Sequence, residues 1–439
     1  MPQKVALHTI GCKLNFSETS TIGNEFLNNG FDIVDFKENA DVYVLNTCTV
    51  TENAERECRQ LVRRALRKNP DAYVIVTGCY AQLRPEEIAR IKGVDAVMGS
   101  KEKFNLFSTI ENFDKKELSC IYVSPANELN HFGQAHSTDA DGRTRAYFKI
   151  QDGCDYKCTF CTIPLGRGKS RSLAPDTALS EFKHLINEGY KEIILTGVNV
   201  GDYGKSIETD LFKLLKGMIQ VPGKFRIRIS SIEPNLLSDD IITLTADNEK
   251  ICNHFHIPLQ SGSPKILKAM KRRYNVDDYS RLIHKAKNKI RDLGIGMDVI
   301  TGFPGETEDD FMKTFSFIKE LPVSYLHVFT YSERPDTKAI LLDGKVELHE
   351  RKRRSNMLRI LSEKKRNHFY QSMKGKNLEI LFEGENMSGF IKGFSANYVR
   401  VSNIFNKSLI NEFADVKITN TTNDICTGTI VNKDVELVA

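Results

Sequence analysis

Ala146-Tyr147-Phe148-Lys149-Ile150-Gln151-Asp152-Gly153-Cys154-Asp155-Tyr156-Lys157-Cys158-Thr159-Phe160-Cys161 places a strand-like run, a glycine and three cysteines in immediate succession. Tyr147 to Ile150 reads as a strand, and the glycine-led turn Gln151-Asp152-Gly153 releases the chain into a loop that can wrap one cluster. Thiolates are the soft ligands that iron-sulfur clusters take, and three rather than four leave one iron open for a substrate. A partial zinc site and incidental core cysteines are the alternatives. The unequal three-then-two spacing, with no further Cys or His close by, weighs against zinc.

Outward from that loop, strand-like runs recur at Glu192 to Leu195, Phe225 to Ile229, His254 to Pro258, Gly296 to Ile300 and Leu326 to Thr330, with helical stretches between them. These βα repeats predict a partial (β/α)6 barrel over 146–348, whose chemistry belongs at the carboxyl ends of its strands. The segments at those ends are Thr196-Gly197-Val198-Asn199, Ser230-Ser231-Ile232-Glu233-Pro234, Pro258-Leu259-Gln260-Ser261-Gly262-Ser263 and Ile300-Thr301-Gly302-Phe303-Pro304-Gly305-Glu306. Small residues there let a ligand approach the backbone. Taken singly, each reads equally well as turn chemistry.

Residues 1–120 show the same alternation. Strands are expected at Val5 to Thr9, Val42 to Leu45 and Tyr73 to Val76, and helices at about Glu18 to Asn28, Glu52 to Lys68 and Pro85 to Ile91. The pattern is that of a doubly wound parallel α/β domain. Cys12, Cys48 and Cys79 fall just past the three strands, at the edge where open α/β sheets bind ligands. They read as converging ligands or, without further evidence, as buried apolar residues. Cys58, Cys120, Cys252 and Cys426 match no motif and read as structural.

A polar, irregular segment over 121–145 reads as a linker. Residues 349–370 form a basic helical bridge, and 371–439 carry short β-prone runs (Leu378 to Phe382, Tyr398 to Val401, Thr427 to Val431) that predict a small β-barrel. Arg56, Arg59, Arg63 and Arg67 fall near one face of a helix, and Arg351, Arg353 and Arg354 begin a second basic tract. Both could neutralise RNA phosphates or be solvated faces. The β-barrel is slightly acidic, so it would meet RNA through shape or through stacking on Phe394 and Tyr398.

The 439 residues are 40% hydrophobic, enough for several cores, and the formal charge of +5 excludes a chain that coats nucleic acid indiscriminately. The N-terminus has no basic lead into an apolar run, and no window approaches the ~18 apolar residues of a bilayer span. A cytoplasmic location and no membrane partner are expected, and in that reducing compartment clustered cysteines suggest metal or catalysis.

At Cys154-Asp155-Tyr156-Lys157-Cys158-Thr159-Phe160-Cys161 the chain resembles the radical S-adenosylmethionine superfamily. Ile163-Pro164-Leu165-Gly166-Arg167-Gly168-Lys169-Ser170-Arg171-Ser172, Gly11-Cys12, Asn46-Thr47-Cys48 and Gly78-Cys79 extend the resemblance to the methylthiotransferase family, over essentially the whole chain. The resemblance implies two [4Fe-4S] clusters, on Cys154, Cys158 and Cys161 and on Cys12, Cys48 and Cys79, with S-adenosylmethionine as both methyl donor and radical source. It places Phe160, Gly197, Asn199, Ser231, Glu233, Gln260 and Gly302 against that cofactor, and makes the β-barrel one of the TRAM type that binds RNA. It also implies an electron donor such as a flavodoxin or ferredoxin system, and a sulfur source. Thr9-Ile10-Gly11-Cys12-Lys13-Leu14-Asn15, Leu195 to Gly204 and Arg228 to Pro234 are most similar to the branch that adds methylthio to C2 of N6-threonylcarbamoyladenosine, position 37 of tRNA. Branches acting on isopentenyladenosine or a ribosomal-protein aspartate are the alternatives, and a non-catalytic iron-sulfur RNA-binding redox sensor is the alternative of another class.

Overall fold

The computed structural model describes residues 2–48, 52–129, 132–136, 144–384, 389–422 and 424–432, with the side chains of 52–55 and 432 outside that description. Its first layer is a six-stranded parallel sheet of β1 (Lys4–Thr9), β2 (Asp32–Val34), β3 (Val42–Thr47), β4 (Tyr73–Gly78), β5 (Ala96–Met98) and β6 (Cys120–Tyr122). The order is β2-β1-β3-β4-β5-β6. The chain steps to one side of β1 and then to the other, so the loops after β1 and β3 part at a switch point. β3 and β4 are buried throughout, which is why they read as continuous apolar runs. The segment read as a linker over 121–145 instead begins within the edge strand β6, parallel to β5.

Helix α1 (Lys13–Asn28) begins five residues before the helix expected from Glu18. Its first turns bury Asn15, Ser17 and Glu18, polar residues that hide the helical period. The helices α2 (Glu52–Lys68), α3 (Cys79–Leu83), α4 (Pro85–Ala89) and α5 (Leu106–Thr109) complete this unit.

The central unit opens with β7 (Arg145–Lys149), then the antiparallel pair β8 (Gln151–Asp152) and β9 (Arg171–Ser172), which brackets the helix α6 (Ile163–Arg167). Strands β10 (Glu192–Thr196), β11 (Arg226–Ile229), β12 (His254–His256), β13 (Gly294–Thr301) and β14 (Tyr325–Thr330) alternate with α7 (Pro175–Asn187), α8 (Leu211–Ile219), α9 (Asp239–Asp247), α10 (Pro264–Ala269), α11 (Val276–Lys289) and α12 (Glu308–Glu320). They form two parallel sheets, β7-β10-β11 and β12-β13-β14, joined by the parallel bridges Ile227–Ile251 and Ser231–His256. The result is an open arc of six strands. Alternate residues such as Ile193, Leu195, Ile227, Phe255, Met297 and Val299 pack outward under the helices in one core.

α13 (Leu348–Gln371) packs along β13 and β14 through Ser355, Leu358, Leu361 and Ser362. Beyond it, β15 (Asn377–Phe382), β16 (Phe390–Ser395), β17 (Arg400–Ile404), β18 (Phe413–Thr421) and β19 (Cys426–Asn432) close into a barrel. The barrel caps the amino-terminal end of the arc. Glu192 at the start of β10 accepts from Arg228 Nε at 2.7 Å, while Arg226 and Arg228 donate onward to the carbonyls of Phe394 and Ser395 at 2.8 and 3.1 Å. Glu383 pairs with Arg145 at 2.6 Å and Glu412 with Lys191, so the barrel's excess of acid faces the basic underside of the core. Phe394 and Tyr398, expected as a base-stacking platform, are instead stacked on each other and covered by Arg145, Arg228 and His254.

Candidate active site

Gly153 (φ 70°) opens the cysteine loop where a Cβ would stand 2.0 Å from the carbonyl oxygen of Lys169, so only glycine lets β8 and β9 pinch its neck. Within the loop, Cys154 N–H donates to Gly168 O at 3.1 Å and Tyr156 N–H to Cys154 Sγ at 3.4 Å. Thr159 ties it to α10 through Met270 O and Ala269 O at 3.2 and 2.9 Å. Burial pushes the Cys154 and Cys161 thiols up to about 12. It also raises Cys158, against the pull of Arg272, whose Nη1 donates to Cys158 Sγ at 3.0 Å and whose other nitrogen grips Glu233. Metal binding must therefore displace protons here, and Arg272 offsets the charge of a ligated thiolate.

The expected rim residues divide into two groups. Gly197 allows Gln151 to approach, since a Cβ would lie 2.8 Å from Gln151 Oε1, and that oxygen accepts from Asn199 N–H at 2.9 Å. Asn199 Oδ1 accepts from Glu233 N–H at 3.4 Å, which links both residues to Arg272 and Cys158. Ser231 lies beside them, its carbonyl accepting from Val200 N–H. Thr196 Oγ1 and Asn199 Nδ2 are buried here without a partner. Gln260 follows β12 with a left-handed φ of 68°, a conformation that a non-glycine residue holds only where its surroundings impose it. Phe160 anchors its ring among Phe303, Ile266 and Met270. Gly302 is a different case: its missing Cβ faces Arg351 Cγ at 2.2 Å and its N–H binds Glu306, so it admits α13 rather than opening towards the rim.

Cys12, Cys48 and Cys79 stand at the ends of three adjacent strands. Cys12 caps α1 and Cys79 begins α3. A Cβ on Gly11 would lie 3.4 Å from Cys48 Sγ, and Cys12 and Cys79 are close enough for one to bias the other's ionisation. Asn15 binds the loops together, its Nδ2 donating to Ile10 O and Thr47 O at 3.2 and 3.1 Å while its Oδ1 accepts from Cys12 Sγ at 3.6 Å.

α3 packs on α6, and a Cβ on Gly166 would touch Cys79 Cβ at 3.7 Å. The helix that opens with Cys79 thus lies on the helix that follows the Cys154–Cys161 loop. Beneath this contact runs a buried ionic network unforeseen from sequence. Glu18 of α1 binds Lys103 (2.6 Å), Lys149 (3.1 Å) and Arg167 (2.8 Å); Arg167 also donates to Asn15 Oδ1 at 2.8 Å and Asp152 at 3.1 Å. Asp152 in turn holds Lys149 and Arg171 at 2.8 and 3.1 Å. Lys103, Lys149, Arg167 and Arg171 outnumber Glu18 and Asp152, so the surplus is positive between two thiol triplets. The Cys79 thiol, raised by burial, is drawn back down most by Arg167.

The basic tracts part company. Arg59, Arg63, Arg64 and Arg67 of α2 line a groove of about 1190 Å³ with Arg90 and Lys92, and Arg56 is exposed on the same helix. Arg351 and Arg354 are buried instead, held by Glu333 at 2.6 Å and Glu306 at 2.8 Å. Arg353, half-exposed, pairs with Glu308 and Glu350, each at 2.6 Å. The second tract is a structural clamp, because Glu306, Glu308, Glu333 and the neighbouring Glu350 already pair with its guanidinium groups.

Three thiols with one facing a guanidinium, beside orphaned polar groups on a strand-end rim, fit an iron-sulfur cluster with an open iron and a small polar cofactor. Among the described residues no group of three His, Cys, Asp or Glu side chains is placed to hold a single metal ion. Fold and loop define a radical S-adenosylmethionine enzyme. The Radical SAM superfamily pattern matches residues 148–318, and that of the uncharacterized protein family UPF0004 matches 4–99. Threonylcarbamoyladenosine tRNA methylthiotransferase MtaB of Bacillus subtilis is 39% identical over 420 residues, 94% of this chain and 93% of the relative. Its namesake in Aquifex aeolicus is 39% identical over 87% and 93% of the two chains. A tRNA-2-methylthio-N(6)-dimethylallyladenosine synthase of Clostridium botulinum is 34% identical over 94% and 93%. The methyltransferase TsrM of Kitasatospora setae, solved with cobalamin and a [4Fe-4S] cluster, shares the fold at a TM-score of 0.56, with 14% identity, over 89% of this chain and 81% of that one. The chain belongs to the tRNA methylthiotransferase family of radical S-adenosylmethionine enzymes, and with that membership come a [4Fe-4S] cluster and S-adenosylmethionine.

Proposed function

We propose that this enzyme methylthiolates C2 of N6-threonylcarbamoyladenosine at position 37 of tRNA, in the cytoplasm, with a second [4Fe-4S] cluster on Cys12, Cys48 and Cys79. The observation that carries this reading is the 39% identity over nearly the whole chain to a threonylcarbamoyladenosine tRNA methylthiotransferase, and the seating of α3, which opens with Cys79, on α6, which follows the Cys154 loop, supports a second cluster near the first. When bound, the clusters and S-adenosylmethionine supply one-electron chemistry, a methyl group and sulfur. The chain's own residues do the rest. Gln151, Asn199 and Glu233 form the polar rim that orients the cofactor, and Arg272 fixes the Cys158 side of the loop. The Glu18–Arg167 network holds the two units in register and adds positive charge beneath anionic clusters. The α2 groove, with Arg59, Arg63 and Arg67, takes tRNA phosphates. A flavodoxin or ferredoxin system supplies electrons, and an external sulfur source replenishes what each turnover removes.

The test is anaerobic reconstitution with iron and sulfide, then addition of S-adenosylmethionine, reductant and tRNA, and mass spectrometry of the digested nucleosides. A reductant-dependent methylthio adduct of threonylcarbamoyladenosine is expected. Cys158→Ala should abolish 5′-deoxyadenosine formation, whereas Cys48→Ala should keep it and lose the adduct. The dimethylallyl-type relative at 34% identity supports a second reading. An adduct on isopentenyladenosine alone would select it.

A further inference from the structure

Cys158 of the cluster loop lies directly beneath one short surface turn. α10 ends in a paired-bond cap, with Arg272 N–H donating to Leu267 O and Lys271 N–H to Lys268 O, both at 3.0 Å, and Lys271 takes the left-handed φ of 57° that such a cap requires. The reversal sends Arg272 inward, where its Nη1 meets Cys158 Sγ at 3.0 Å, and leaves Lys271 and Arg273 exposed on either side of it. Arg273 lies over the Tyr156 ring, 3.8 Å from its centroid, and Asn235 Nδ2 donates to the Tyr156 hydroxyl at 2.9 Å. The loop is also held by the 3₁₀ turn Lys338–Leu341, whose Ala339 N–H donates to Thr159 O at 2.8 Å. Lys157, Lys268, Lys271, Arg273 and Lys338 are thereby gathered around the outside of the cysteine loop, all of them exposed. Among the described residues none of these cations pairs with a carboxylate, whereas Asp155 and Asp336 beside them are held by Lys205 at 3.9 Å and Arg84 at 2.7 Å. Ile340 and Leu341 add exposed aliphatic surface.

Resting on the reading above that an external carrier supplies the electrons, we propose that this face docks that carrier, an acidic one-electron protein that presents its prosthetic group to the Lys271–Arg273 turn. One electron leaves the carrier and passes to the cluster on Cys154, Cys158 and Cys161; no covalent bond forms or breaks. Such a transfer depends on orbital overlap, which falls steeply with distance, and a carrier seated on the turn comes within one layer of side chains of Cys158. The unpaired cations steer an acidic surface into place, and exposed pairs are individually weak enough to let it leave after each transfer. Aliphatic surface beside charge suits a small, transient protein contact. It suits RNA less, because bases need rings to stack on and Tyr156 is buried beneath Arg273.

The test uses reconstituted holoenzyme and a flavodoxin with an acidic surface around its flavin. Calorimetry measures binding of the oxidised flavodoxin, and cleavage of S-adenosylmethionine is followed with either reduced flavodoxin or dithionite as reductant. The triple variant Lys157→Glu, Lys271→Glu, Lys338→Glu should bind flavodoxin about tenfold more weakly or worse and lose much of the salt dependence of binding, while dithionite-driven cleavage stays within about twofold of wild type. Lys271→Glu with Lys338→Glu, both outside the cysteine loop, carries the test should the triple variant lose iron. Unchanged flavodoxin affinity in these variants would overturn the assignment, and if tRNA affinity fell in its place the face would belong to RNA. A wild type that dithionite reduces but that binds no flavodoxin would instead remove the electron-donor reading and this inference with it, a result distinguishable from the other two.

Discussion

Glu18→Gln removes the carboxylate at the centre of the ionic network and leaves its geometry almost unchanged. In the wild type that carboxylate faces Lys103, Lys149 and Arg167 at 2.6, 3.1 and 2.8 Å, all four side chains being buried. Burial by itself would raise the Glu18 pKa; Arg167, Lys103 and Lys149 overcome it and hold the group well below the usual carboxylate range. The amide keeps acceptor oxygen but strands three cations around a neutral group, and breaking a buried pair from one side costs about 3–5 kcal/mol. At about 2–4 °C per kcal/mol for units of this size, the melting temperature should fall by roughly 6–20 °C. Circular dichroism melts of the metal-free chain at pH 7 measure it. Adding Lys103→Met to the variant removes one stranded charge and should restore about 1–3 kcal/mol. Because the folded pKa lies below the unfolded value, the contribution is complete above about pH 4.5 and fades as pH falls further. The gap between wild type and variant should therefore close in acid. A fall of less than about 2 °C, or strictly additive effects of the two substitutions, would falsify the idea that this network locks the amino-terminal unit onto the core.

Replacing Arg59, Arg63 and Arg67 together by Gln should reduce the slope of log affinity for tRNA against log salt by about two to three. Arg351→Gln should leave that slope alone while lowering the melting temperature, since its guanidinium is buried against Glu333; a changed slope would return it to the RNA interface. Gly153→Ala should cost the core its iron, because the new Cβ would meet Lys169 O at 2.0 Å, whereas Gly30→Ala, with a similar φ but nothing within 4 Å, should retain it. Equal iron content in the two variants would remove the neck of the loop as the cause. Arg272→Gln should slow reductive cleavage of S-adenosylmethionine by roughly 10- to 100-fold through loss of its contacts to Cys158 and Glu233; rates within twofold of wild type would assign Arg272 to packing alone.

Some of this was visible in the chain and some was not, for reasons that differ by residue. Cys154, Cys158 and Cys161 are neighbours in one loop, so their common purpose needs no knowledge of the fold. The strands β3, β4 and β10 were legible because both faces are buried and the apolar run is unbroken. α3 was missed because it is five residues long and starts on a cysteine. The short strands β2, β5 and β6 carry three residues each, too few for a period. Arg351 and Arg354 read as an RNA-facing tract because a sequence displays charge without its counter-charge, and Glu333 and Glu306 lie far from them along the chain. Arg272 had no flanking motif to mark it.

What the sequence determined by itself is whatever depends on local spacing: three thiols within one loop, a glycine where the loop must pinch, and the alternation that makes successive βα units. Tertiary structure alone decided which charges cancel. Coulomb energy depends on distance in space and on desolvation, so Glu18 became the centre of a cationic cluster and Arg354 a clamp.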